Sequence, residues 1–188
     1  MNLLSHFILM ADYNHRMNIQ FSNVIDNLSE EITNEDLGAY FISIMGTLNH
    51  ILVGDIIWLS RFSKHSNNYL ALKSILELPK PNGLNDMIFP EFSSFKIARE
   101  KVDLSLSNWL KYEVDTIDFT KNLEYSSTKG IISTRNFGEL LSHLFNHQTH
   151  HRGQLSTLLN QQGLDVGVTD FLVEIPEIST KQENLQII

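Results

Sequence analysis

Leu3, Phe7, Met10, Asn14, Met17, Phe21, Val24 and Leu28 recur in alternating steps of four and three. That spacing predicts a helix that buries one seam in a bundle. Asn14 is the only polar member of the seam. An interior asparagine serves as a register or packing device, and lining a polar site is the alternative. A second helix is predicted from an N-cap at Asn34, with Glu35 and Asp36 complementing the helix dipole, to about Phe62. Leu37, Phe41, Ile44, Met45, Leu48, Leu52, Ile56 and Leu59 surround it with apolar side chains, so it should be buried. The exception is a narrow stripe of Ser43, Gly46, Thr47, His50 and Gly54, where small residues leave room beside a histidine.

Residues 65–90 break the pattern with Asn67, Asn68, Pro79, Pro81, Asn82, Gly83 and Pro90. A long connection is expected, with a short helical turn at 70–77, crossing the bundle or covering a site. Phe95, Ala98, Val102, Leu106 and Trp109 mark one face of a third helix from Phe92 to Val114. Residues 123–133 predict a small hairpin turning near Lys129-Gly130. Asn136 with Glu139 reads as the capping box of a fourth helix, and Gly163 as its C′ glycine. In the tail, Val166–Ile175 should pack back on the bundle. Together these elements predict an all-α four-helix bundle with a small β-hairpin and a long crossover connection, one domain over residues 1–188.

Composition narrows the function. With 42% hydrophobic and 19% charged residues, the chain has the make-up of a globular protein and not a disordered one. A net charge of -8 without any run of Lys or Arg argues against nucleic acid and anionic membranes as partners. The absence of cysteine excludes disulfides, thiolate metal sites and a cysteine nucleophile, so any thiol must arrive with a co-substrate. No signal peptide or membrane-spanning stretch is evident, and a cytoplasmic protein is expected.

The histidines carry the candidate chemistry. Four of the eight, His143, His147, His150 and His151, fall within HLFNHQTHHRGQ. Pairs three or four apart on a helix can present two imidazoles to one metal ion, and spacing alone allows three such pairs. With His147 set at zero, the apolar face of the fourth helix centres near +70°, His151 lies at about +40°, His143 at about −40° and His150 at about −60°. His147 and His151 therefore point most nearly inward. Core imidazoles need partners, because an unpaired buried polar group costs about 1–3 kcal/mol. Hydrogen bonds to neighbours or water would suffice, but His50, on a second buried helix beside small residues, favours a shared metal. Three histidines with an open position are the arrangement of catalytic zinc sites. Imidazole ligation suits a divalent ion, zinc or nickel first, with iron or manganese compatible.

Other chemistries fit poorly. The zincin motif needs a glutamate where this chain has Gln148. Di-iron bundles need ExxH on two helices, but Glu139 and His143 are four apart and have no second copy. No phosphate-binding glycine loop or nucleophile elbow is present. Trp58 and Trp109 read as core anchors. Arg152 suits a carboxylate across the bundle, and Gln154 a hydrogen bond to a ligand, although simple structural roles serve for both. Asp55 should point about 140° away from His50 and is not a candidate ligand.

These residues resemble the DinB-like (damage-inducible) proteins of the wider DinB/YfiT-like metalloprotein superfamily. The resemblance is carried by ADYNHRMN (11–18), FISIMGTLNHILVGDIIWLSRF (41–62), LEYSSTKG (123–130), NHQTHHRGQLSTLLNQQG (146–163) and TDFLVEIPE (169–177). It implies a four-helix bundle, often a homodimer, with a divalent metal on three histidines: His50 from TLNH, His147 from NHQT and His151 from THHRG. It also implies relatives that are metal-dependent transferases or isomerases using low-molecular-weight thiols. Two functions then compete. One is a metal-dependent thiol S-transferase or isomerase, with hydrolysis as a variant, acting on a small-molecule substrate in stress response or detoxification. The other is a non-catalytic metal-binding stress protein whose ion is structural or sensed.

Overall fold

The structure, a computed structural model, describes residues 2–177, and residues 178–188 of the expected tail lie outside them. Four long helices form the bundle: α1 (Leu3–Ile25), α3 (Ile44–Phe62), α4 (Phe92–Tyr112) and α5 (Phe137–Gln161). α1 packs on α4 and α5, and α3 packs on the same two. A short α2 (Glu30–Asn34) and a two-stranded antiparallel sheet of β1 (Asn122–Ser126) and β2 (Ile132–Asn136) complete the set, with 3₁₀ turns at Ala71–Glu77, Thr116–Thr120 and Phe171–Glu174. The hairpin turns through Gly130 at φ 79. Gly163, at φ 76, follows α5 as its C′ residue, while Leu164 N–H reaches the Leu159 carbonyl. The tail packs back as expected: Tyr13 Oη donates to the Thr169 carbonyl at 2.8 Å, and Arg16 pairs with Glu174. Among the described residues no helix is long and apolar enough to cross a membrane.

The start of the second long helix differs from expectation. Asn34 ends α2, donating from Nδ2 to the Glu30 carbonyl at 2.9 Å. The N-cap of α3 is Ser43, whose Oγ accepts from Gly46 N–H at 3.0 Å. The acidic pair Glu35 and Asp36 instead enters a folded-back loop. There Leu37 N–H meets the Ile42 carbonyl at 2.9 Å, and Gly38 and Ile42 both take positive φ. The Phe41 carbonyl lies so close to Gly46 that a Cβ there would approach it to 1.9 Å. Only glycine lets the loop sit this tightly on the first turn of α3.

The core has an aromatic end and a polar waist. Trp109 and Phe62 stack at 5.5 Å, and Phe137 packs edge-on to Phe62 at 5.3 Å. Trp58, expected as a second core anchor, is only partly buried, beneath Arg61 and beside Tyr125. At the waist, buried polar groups join all four long helices. Arg99 on α4 pairs with Asp55 on α3 and, at 2.8 Å, with Asp103 on its own helix. Gln148 on α5 donates to Asp55 at 2.6 Å, and Asn18 on α1 donates to both Asp103 oxygens at 3.0 Å. Arg152, expected to meet a carboxylate, donates instead to the Asn14 side-chain oxygen, and Asn14 in turn donates to Asp103 at 3.2 Å. The seam asparagine thus relays between two charged groups. Burial alone would weaken the Arg99 charge, but Asp103 and Asp55 reverse this and hold its pKa above the usual value.

Candidate metal centre

The polar waist fixes the rotation of α5, so that neighbouring positions on the same turns meet two different sites along α3. Gln148 and Arg152 are tied inward, while their chain neighbours His147 and His151 meet His50. The His50 Nε2 lies 3.0 Å from His147 Nε2 and 3.1 Å from His151 Nε2. Among the described residues this trio is the one group of metal-ligating side chains close enough to share an ion, and no carboxylate joins it. His50 is buried, and His147 and His151 are half-buried. His150 and His143 lie outside the trio on an exposed flank, as helical phase suggests.

Hydrogen bonds on the far side of the rings set the tautomers. His50 Nδ1 faces the Leu84 carbonyl at 2.8 Å. A carbonyl only accepts, so Nδ1 carries the proton and a neutral His50 presents a bare lone pair at Nε2. His151 Nδ1 likewise donates to Gln154 Oε1 at 2.7 Å. Two lone pairs 3.1 Å apart, with no proton between them, repel unless a cation sits at their meeting point. A shared proton is a poor answer. Burial, reinforced by His151, His50 and the other nearby histidines, pushes His147 down to about 3. Burial also lowers His50 and His151, though the Leu84 and Gln154 hydrogen bonds partly offset it. A divalent ion fits better, because ligands at the usual Zn–N distance in tetrahedral geometry stand about 3.3 Å apart.

The surroundings are shaped to this trio. A Cβ at Gly54 would lie 2.7 Å from His147 Cε1, so glycine makes room for the ring. Gly54→Ala is expected to leave the metal-free protein as stable or more so, since alanine gains about 1 kcal/mol in a helix interior. Its displacement of His147 should weaken metal binding at least about tenfold. Zinc titration calorimetry checks this, and unchanged affinity would show that the ring position is irrelevant. Phe41 stacks face-on to His50 with centroids 3.8 Å apart and edge-on to His151 at 5.4 Å. The long connection docks here as well. Asn49 grips the Phe89 backbone with two 2.9 Å hydrogen bonds, one residue before His50 receives Leu84. Sequence spacing placed Phe41 among the apolar positions of the second helix and allowed residues 65–90 to cover a site, but it gave no sign of the Leu84 contact or the Asn49 clasp, which act across 34 and 40 residues of chain. Gln154 was visible as a partner for a ligand.

Gln148, at the zincin glutamate position, is fully buried and turned to Asp55, and among the described residues no carboxylate joins the trio. The low pKa of His147 has a direct consequence for stability. The unfolded chain takes up a proton near 6.5, whereas the folded, metal-free protein resists until about 3. The stabilisation from a neutral His147 is therefore full above the first value and is lost as pH falls through the interval. Melting temperature of the metal-free protein should fall between roughly pH 7 and pH 5, and less steeply in His147→Leu. Equal slopes for both proteins would refute it.

Comparisons with known proteins bear on the family and the fold. "Protein DinB" of Bacillus subtilis (strain 168) is 28% identical over 166 residues, covering 86% of this chain and 89% of that protein. The crystal structure of a DinB-like protein from Bacillus cereus has a TM-score of 0.58 and 20% identity, covering 88% of this chain and 94% of its own, and it shares the fold. The sequence model of the DinB family matches residues 1–182. The chain therefore belongs to the DinB family.

Proposed function

We propose that this protein is a metal-dependent thiol S-transferase or isomerase in which His50, His147 and His151 hold one divalent ion and a low-molecular-weight thiol is the co-substrate. The observation that carries this is the convergence of three Nε2 atoms, two of them made bare by the Leu84 carbonyl and Gln154. When bound, the ion would act as a Lewis acid that lowers the pKa of a coordinating thiol. Three protein ligands leave it open positions. The chain's own residues supply the rest. Leu84 and Gln154 keep His50 and His151 turned toward one point, and Phe41 forms an apolar wall that keeps water from the His50 ring. No cysteine is present to supply the sulfur, which favours an external thiol. The lack of a carboxylate base at the trio favours thiol transfer over water activation. Such a reaction suits detoxification in the cytoplasm, where thiols are kept reduced.

Metal-loaded protein should consume small thiols with 1-chloro-2,4-dinitrobenzene, and chelation should abolish the turnover. No metal-dependent turnover across a panel of thiols would overturn the enzymatic assignment. One observation favours the second function, a non-catalytic metal-binding protein: Phe41 lies against two of the three rings. In that case chelation lowers the melting temperature and nothing turns over.

A further inference from the structure

A strip of aromatic and basic side chains leads away from the trio along α3 and α5. His143 stands beside His147 with centroids 6.2 Å apart, and Trp58 lies 5.2 Å from His143. The Arg61 guanidinium covers Trp58 at 4.5 Å and Tyr125 at 4.9 Å. Arg61 follows His50 by eleven positions, three helical turns, and so shares its face of α3.

Arg61 is unusual in its electrostatics. It is half-buried, and burial pulls its pKa down. Its hydrogen bond goes to a backbone carbonyl, that of Ser126, at 2.9 Å. Among the described residues no carboxylate pairs with Arg61, Lys64 or Arg135, although the chain carries a net charge of -8. Arg135 Nε points at Tyr125 Oη from the hairpin at 3.2 Å. Arg61 and Lys64 line a cavity of about 340 Å³ between α3 and β1, with Glu124 as its one acid. An acidic protein that leaves a half-buried guanidinium without a counter-ion, stacked on two aromatic rings, has kept a planar anion-recognition group free.

We infer that Arg61, supported by Lys64, is the specificity-determining site for a carboxylate on the thiol co-substrate, one ligand's length from the histidine trio; this rests on the proposed function. The guanidinium leans back over Trp58, which places it about 12 Å along the helix axis from His50. A thiol that reaches both ends carries its carboxylate at roughly the length of three extended residues from the sulfur, which a short peptide thiol supplies. The aromatic faces of Trp58 and Tyr125 would lie along such a chain.

The probes are mercaptoacetyl-diglycine and its C-terminal amide, which differ only in the terminal charge. In cobalt-loaded protein the visible spectrum reports thiol coordination, and wild type should bind the acid about tenfold more tightly than the amide. Arg61→Gln should erase that ratio without changing affinity for the amide, and Arg61→Lys should keep part of it. A second measurement needs neither metal nor thiol. Trp58 fluorescence in metal-free protein should respond to N-acetyl-diglycine but not to its amide, and R61Q should abolish the response. Equal affinity for acid and amide in wild type, or a silent Trp58, would overturn the carboxylate site. A Trp58 response with no thiol spectrum on cobalt would keep the site and overturn the thiol chemistry.

Discussion

Arg99→Ala is expected to lower the unfolding free energy by about 3–5 kcal/mol, read as a shift of the urea midpoint. The substitution leaves the buried Asp55 and Asp103 carboxylates with no cation between them. Arg152 compensates only in part: it is near enough to feel the charge of Asp55 and Asp103, but its hydrogen bond goes to the Asn14 oxygen and not to a carboxylate. A domain of this size has only about 5–15 kcal/mol in total, so the variant should be partly unfolded at growth temperature. The cause is an uncompensated charge and not lost volume, and this is separable. Combining Arg99→Met with Asp55→Asn should recover a good part of the loss, since the remaining Asp103 charge keeps Arg152, through Asn14, as its buried counter-charge. A loss below about 1 kcal/mol for the single substitution would mean that water reaches the waist and the network is ordinary surface electrostatics.

His147→Ala should act in the opposite sense on the two properties. Metal content by plasma mass spectrometry, on protein purified without a His-tag and reloaded, should drop from about one ion per chain to a trace, with affinity falling at least about a hundredfold. The metal-free protein should be no less stable than wild type. It loses an imidazole whose Nδ1 is buried without a hydrogen-bond partner and whose Nε2 faces a neighbour at 3.0 Å. His143→Ala and His150→Ala should keep the ion. Full metal content in the His147 variant would remove the trio as the binding site and the enzymatic proposal with it.

The bundle was legible because its signals are local. The four-and-three seam of α1, the apolar ring of α3 and the Asn136 and Gly163 ends of α5 each declare themselves within a few residues. His147 and His151 were separable from His143 and His150 by phase alone, because the leucines of α5 define its inner face. Asn34 misled for the complementary reason. It has the chemistry of an N-cap, but the carbonyl of Phe41 resting on Gly46 forces the chain through a turn first, and that contact is tertiary. Ile42 at φ 71 could not be foreseen from its own side chain. Asp55 shows the limit of phase reasoning. Its side chain turns away from His50 as phase predicts, and the same angle places it at the centre of the charged waist, which depends on what three other helices bring.

Leu84 and the Asn49 clasp make the crossing connection part of one thermodynamic cycle with the ion. The backbone carbonyl that turns His50 belongs to a loop, so whatever binding free energy depends on that turned ring is returned in equal measure to the docked loop. Loading the trio tightens residues 84–89 against α3, and anything that lifts those residues loosens the hold on the ion. The Leu84 carbonyl thus couples the hold on an ion to the docking of the loop.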